Sequence, residues 1–233
     1  MKALLMGGQA CVFYGAAEFS RDTDLAILAD PGNLSRLGRA LRDLDAAVIA
    51  VPPFRLGHLR EGLAVHFRCR HAEAPGMRID VLSKMRGVAS FPVLWRRRTG
   101  IELPDGLRVD LLSLPDLVRA KKTQRDKDWP MVRRLLERHF LENREDPNPQ
   151  RVRFWLLELR TPELLCEACR EHPAACRLLM TRRPLLALAR QGFSAGLVEA
   201  LAAEERTVRE EDRRYWAPLR ARLEQLRLAG RER

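Results

Sequence analysis

Asp22 and Asp24 stand two residues apart at the head of an apolar run, Leu25-Ala26-Ile27-Leu28. Residues i and i+2 of a strand point to the same face. A strand here presents two carboxylates together, with Thr23 and Leu25 turned the other way. Converging carboxylate oxygens, with room left for water and phosphate oxygens, suit a hard divalent cation, Mg²⁺ or Mn²⁺. Ahead of the acids lie Gly7-Gly8-Gln9-Ala10 and then Ser20-Arg21. Paired glycines let backbone N–H groups approach phosphate oxygens with no Cβ in the way. The chemistry this set can do is to hold a nucleoside triphosphate and its metal. Gly-Gly alone, or Asp-x-Asp alone, occurs in many turns; the ordered combination is what carries specificity.

A third acid follows on a later strand-like run. Asp80 sits in Arg78-Ile79-Asp80-Val81-Leu82, after the turn signal Pro75-Gly76. Asp110, in Arg108-Val109-Asp110-Leu111-Leu112, fits the same local pattern and is the alternative. Asp80 is preferred because it begins the first strand-like run after the Asp22 region.

The glycine pair, a gap long enough for one short helix, Asp-x-Asp and a later strand acid resemble the nucleotidyltransferase superfamily, with its DNA polymerase β-like fold. The resemblance covers residues 2–140. It implies a mixed α/β (α+β) nucleotidyltransferase fold, a small mixed sheet flanked by helices. It also implies metal-dependent transfer of a nucleoside monophosphate from an NTP to a hydroxyl. Asp22 and Asp24 would hold two metals, and Asp80 would complete the site on the nucleophile side and accept the proton. Gly7, Gly8 and Ser20 would cradle the phosphates, with Arg21 beside them. Tyr14-Gly15 sits where some relatives carry His-Gly, and the helix that relatives place before the first strand is missing here.

The elements that must position these residues are legible in part. Residues 2–6 read as a short strand ending at the glycines, residues 9–19 as a helix, and residues 22–29 as the acid-bearing strand. Asp30-Pro31-Gly32-Asn33 is a turn. Leu34, Leu37, Leu41 and Leu44 repeat at helical spacing. Residues 46–51 read as a strand. Leu63, Val65, Phe67 and Cys69 alternate with Ala64, His66, Arg68 and Arg70, the mark of a half-buried strand that pairs with 77–82. Residues 107–112 are a further strand. Lys84, Arg86 and Arg96-Arg97-Arg98 form either a basic wall for triphosphate or RNA, or a solvated loop.

Ser113-Leu114-Pro115-Asp116 is a helix start. The helix carries Lys121 and Lys122 and leads into Arg125-Asp126-Lys127-Asp128 and a second helix. This stretch resembles the Lys…Arg-x-Lys-Asp signature of the AbiEii-like, type IV toxin branch of the superfamily. The resemblance implies nucleotide contacts from Lys121 or Lys122, Arg125 and Lys127, and places Asp128 near the site. It also implies a toxin–antitoxin setting with an antitoxin protein as partner. In many members of that branch one more residue separates the arginine from the acids than in Arg21-Asp22. A salt-bridged helix corner is the competing reading of the Lys121–Asp128 stretch.

Pro147 and Pro149 suggest a boundary, giving a catalytic domain over 1–142 and an all-helical region over 150–233. The last helix, 194–229, carries Pro218, which predicts a kink. Cys166, Cys169, His172 and Cys176 have the residue types of a zinc site. The first two cysteines sit inside a helical pattern without nearby glycines, so a helix is the preferred reading.

The chain has 233 residues, 46% of them hydrophobic, and a formal net charge of +11, nearly all of it arginine. Its pI of about 10.3 favours anionic partners, with an RNA acceptor, tRNA-like, foremost. Protein or small-molecule hydroxyls are the alternative acceptors, and an inactive fold that binds RNA or a partner is the alternative class. Five cysteines in no secreted framework predict a reducing, cytoplasmic setting. No apolar run is long enough for a membrane span.

Overall fold

The structure, a computed structural model, describes residues 1–231. The elements run β1 (Ala3–Met6), α1 (Gly7–Phe13), β2 (Asp22–Ile27), α2 (Pro31–Asp43), β3 (Ala46–Val48), α3 (Leu56–Glu61), β4 (Val65–Cys69), β5 (Arg78–Leu82), α4 (Phe91–Arg96), β6 (Thr99–Glu102), β7 (Arg108–Leu111), α5 (Leu114–Lys121), α6 (Asp128–Asn143), α7 (Pro149–Glu158), α8 (Pro162–Glu171), α9 (Pro173–Leu179), α10 (Leu186–Gln191) and α11 (Ala195–Arg231). The protein is mixed α/β, with a helical C-terminal part. Two compact units divide it: Met1–Ala120 with the chain from Arg213 onward, and Lys121–Asp212.

The first unit is built on a seven-stranded sheet in the order β3-β4-β5-β2-β1-β7-β6. β1 pairs antiparallel with β2, while β2–β5 and β1–β7 are parallel. The outer pairs β3–β4, β4–β5 and β6–β7 are antiparallel. Period-2 alternation sorts the faces. Val65, Phe67, Cys69, Ile79, Val81 and Ile27 pack on one side with Leu37 and Leu41 of α2 and Leu59 of α3. His66, Asp80 and Asp24 fall on the other side, because Asp24 is the register partner of Asp80 and His66 faces Asp80 across β4–β5.

Two polar clamps fix the strands that frame the acids. Asn33, fully buried, accepts from the Lys2 N–H at 2.7 Å and donates to the Lys2 and Leu28 carbonyls at 2.8 and 2.9 Å. It ties the chain ahead of β1 to the end of β2. Asp30 caps α2, accepting from the Asn33 N–H, with Pro31 in the first turn. At the other end, the Tyr14 hydroxyl donates to the Leu112 carbonyl at 2.8 Å and meets Thr99 Oγ1 at 2.8 Å.

The helix expected over residues 9–19 is shorter and earlier, starting at Gly7 and stopping at Phe13. Gly15 is the cause: it takes a φ of +68°. Ala16 N–H then reaches the Cys11 carbonyl and Gly15 N–H the Val12 carbonyl, both at 2.8 Å, closing the helix in a Schellman turn. α3, α4 and β6 are elements beyond those expected; each is six residues or shorter, too brief to show a period.

In the second unit, α6 to α10 and the first part of α11 surround Trp129, Phe140, Trp155, Leu156 and Leu165, all at most 1% exposed. The Phe140 and Trp155 rings meet edge to face at 5.1 Å. The boundary expected between 142 and 150 therefore falls inside this unit, between α6 and α7. Pro147 and Pro149 mark a turn there, with Asn148 capping α7 through Gln150 and Arg151 N–H. Pro218 lies within α11. Among the described residues no helix is long and apolar enough to cross a membrane.

Candidate functional site

Asp22, Asp24 and Asp80 come together on one face at the junction of β2 and β5. The parallel register sets Asp24 beside Asp80 and Asp22 beside Arg78. All three acids are half-buried. The glycines stand over this face at contact distance. A Cβ on Gly7 would lie 1.8 Å from Asp24 Oδ2, and Gly7 has a φ of +67°. A Cβ on Gly8 would lie 2.4 Å from Ser20 Oγ. Both positions therefore require glycine, Gly7 for backbone conformation and space, Gly8 for space. Ser20 Oγ donates to the Asp22 carbonyl at 3.2 Å, so the loop before β2 folds back beneath the glycine turn. Arg21, next to it, is exposed.

Asp80 is not solitary. Its Oδ1 receives His66 Nδ1 at 2.7 Å and Arg78 Nε at 3.0 Å. Burial alone would raise the Asp80 carboxyl, but the hydrogen bonds and charges of His66 and Arg78 hold it below the usual carboxylate range. His66 and Arg78 are site residues that motif spacing missed. The signal was present: Arg78 precedes Asp80 by two on the same strand, and His66 is on the polar half of an alternating strand.

Asp110, the alternative third acid, lies on β7, with β1 between it and β2. It pairs with Arg98 at 2.9 Å and Arg108 at 3.6 Å. Arg97 makes a two-pronged bond to Asp116, which is fully buried and also accepts from Ser113 Oγ at 2.7 Å. Two members of the arginine run thus brace their own unit. Arg96 is exposed at the end of α4.

The remaining expected residues belong to the second unit. Lys121, Arg125 and Asp128 do converge, but on each other. Asp128, 2% exposed, accepts from Lys121 Nζ at 3.2 Å, Thr123 Oγ1 at 2.5 Å and Arg125 Nε at 2.8 Å. Burial pushes its carboxyl up, yet the Lys121 charge, the Thr123 hydrogen bond and the Arg125 charge bring it below the ordinary value. Trp129 Nε1 donates to the Thr123 carbonyl at 2.8 Å, closing the corner. Lys122 pairs with Glu158, and burial lowers its pKa. Lys127 is exposed at the start of α6.

Cys166 and Cys169 lie on α8 and Cys176 on α9. Cys169 and Cys176 are buried, Sγ to Sγ 2.9 Å, and burial raises the Cys169 thiol far above its usual value. The His172 ring stacks on Trp155 at 6.2 Å. These side chains fill the helical core.

The oxygen-only set Asp22, Asp24 and Asp80 has the chemistry for a hard divalent cation, and the strand register brings it to one place. Among the described residues, however, no group of three His, Cys, Asp or Glu side chains closes tightly enough to hold a metal ion. Asp80 is engaged by its two basic neighbours, His66 and Arg78. No protein-family model matches the chain, and no curated protein matches it.

Proposed function

We propose that this protein is a metal-dependent nucleotidyltransferase that moves a nucleoside monophosphate from an NTP to a hydroxyl, with RNA as the acceptor. The observation that carries this reading is the packing of Gly7 on Asp24, in a strand register that pairs Asp24 with Asp80. A glycine turn laid against strand carboxylates is what triphosphate binding needs: backbone donors for phosphate beside oxygens for its cation. The nucleotidyltransferase fold named from the sequence is part of the same proposal. The net charge of +11 supports an anionic acceptor. The toxin-type role and an antitoxin partner rest on the sequence resemblance.

Asp22 and Asp24 would hold the cation, which when bound neutralises phosphate charge and lowers the pKa of a bound hydroxyl. Gly7, Gly8 and Ser20 orient the phosphates. The acceptor oxygen forms a bond to the α-phosphorus as the α–β bridging bond breaks and pyrophosphate leaves. The hydroxyl proton passes to Asp80. No enzyme nucleophile is needed.

One observation favours a second reading, a binding module on the same scaffold: Asp80 already bears two basic partners. Label transfer decides between the two. The protein is incubated with Mg²⁺ or Mn²⁺ and each α-³²P NTP, with total RNA and separately with lysate protein. A paired Asp22→Asn/Asp24→Asn variant is the control. Label on RNA that the control loses is the expected result. Label on protein moves the acceptor. No label, with no metal-dependent nucleotide binding, overturns the enzyme reading in favour of the module.

A further inference from the structure

The strand beside β5 carries an arginine on the acidic face. Arg68 of β4 stands two residues past His66, so it shares the side of the sheet that bears His66, Asp80 and Asp24. Its register partner across the β4–β5 ladder is Arg78. The Cys69 N–H reaches the Met77 carbonyl at 2.8 Å, so the neighbouring position is a hydrogen-bonded one. The alternation of an antiparallel ladder then makes Arg68 and Arg78 a non-hydrogen-bonded pair, with Cα atoms about 4.5 Å apart and side chains at their closest. Like charges set directly opposite one another destabilise a sheet.

The two arginines are held differently. Arg78 gives its Nε to Asp80 Oδ1 at 3.0 Å, has Asp22 as its register partner on β2, and places its Nη2 3.3 Å from His66 Nδ1. Its side chain is still 39% exposed, and among the described residues its Nη1 meets no acceptor. Arg68 is exposed, and among the described residues it has neither an ion pair nor a side-chain hydrogen bond. One guanidinium is thus aimed by Asp80 and the other is unengaged. Two guanidinium forks side by side match the oxygens of a phosphate.

Sheet order decides which phosphate. The glycine turn follows β1, and the strands run β4-β5-β2-β1. Arg68 is three strand spacings, about 14 Å, from the strand that leads into the glycines, with the acids between. A triphosphate on Gly7 and Gly8 lies on one flank of the acids and Arg68 on the other. We propose that Arg68 and Arg78 hold a backbone phosphate of the RNA acceptor beside Asp80. This rests on the RNA acceptor of the proposed function and gives that acceptor a point of attachment. The repulsion between the two arginines is carried by the free protein and relieved when the phosphate binds.

The test is binding of a fluorescein-labelled, mixed-sequence single-stranded RNA to the full chain, read by anisotropy in EDTA without NTP over a range of salt. Arg68→Gln is expected to weaken binding about tenfold or more and to flatten the slope of log K against log salt by about 0.7. Its urea midpoint is expected to hold or rise, because a like-charge pair is removed. Arg68→Lys should stay within about threefold of wild type. Arg36→Gln/Arg39→Gln/Arg42→Gln takes three exposed charges from α2, on the opposite side of the sheet, and should weaken binding less than Arg68→Gln does. No RNA binding by wild type, equal binding by Arg68→Gln, or a larger loss in the α2 variant overturns the inference. A loss of NTP binding in Arg68→Gln with RNA binding intact also overturns it and gives the pair to the triphosphate. Polyglutamate held as tightly as RNA, and lost in Arg68→Gln, overturns it in favour of an acidic protein. RNA binding that depends on Arg68, without label transfer, keeps the inference and sinks the enzyme reading. Label transfer whose KM for RNA is unchanged in Arg68→Gln sinks the inference alone.

Discussion

Gly7 lies so close to Asp24 that a single added methyl would overlap the carboxylate, at 1.8 Å from Oδ2. The contact couples backbone conformation to chemistry. Gly7→Ala is expected to strain a left-handed residue and push Asp24 aside, costing about 1–3 kcal/mol. Urea denaturation reads the stability loss, and Mn²⁺ affinity reads the displaced acid. An unchanged midpoint together with unchanged affinity would refute the coupling.

Lys122 and Glu158 test whether the conspicuous lysine pair serves nucleotide or fold. Both side chains are mostly buried, at 14% and 13% exposure. Breaking such a pair by removing its carboxylate is costly, whereas an apolar replacement of the lysine is often tolerated. Glu158→Gln is expected to lower stability by about 3–5 kcal/mol. Lys122→Met is expected to cost much less and to retain label transfer. If Lys122→Met folds normally but raises the NTP requirement tenfold or more, the lysine belongs to the site.

Asp128 gives a pH prediction of definite sign. Its folded pKa is depressed, so its ion cluster stabilises above the ordinary carboxylate value of about 3.9. That contribution disappears as pH falls through the lower, folded value. The wild-type urea midpoint should drop with acid in this window. Asp128→Asn should be weaker by about 3–5 kcal/mol at pH 7, because it strands the buried Lys121, and flatter in acid. Parallel pH profiles for the two proteins would contradict this.

The cysteines predict a metal-independent helical unit. Cys169 and Cys176 are packed beside one another and His172 lies on Trp155. Purified protein is expected to carry no stoichiometric zinc, and EDTA should leave its thermal midpoint in place. Metal analysis showing one zinc per chain, lost with the midpoint on chelation, would sink this.

Part of the acidic face was legible because a strand has only two sides: Asp22 and Asp24 sort to one face by period alone, whereas the β2–β5 register is what sets Asp80, rather than Asp110, beside them. The basic partners were harder to see. Arg78 and His66 belong to pairings made across strands, and a linear reading shows neither the partner nor the distance. The early stop of α1 comes from one glycine turning left-handed, where the flanking residues still look helical. The lysine–aspartate signature shows the opposite difficulty. Its residues do meet, as the spacing suggests, but burial of Asp128 gives them each other as partners. Pairings of this kind depend on burial, which spacing does not carry.

The parallel β2–β5 ladder has a kinetic consequence. Asp24 and Asp80 are brought side by side by a pairing between distant parts of the chain, with α2, β3, α3 and β4 lying between them in sequence. Such long-range parallel pairing is slow to form, because loop closure must precede any reward from contact. A chain still emerging from the ribosome holds Asp22 and Asp24 well before Asp80 and its neighbours exist. The acidic face is thus assembled late, only after the chain through β5 has been made.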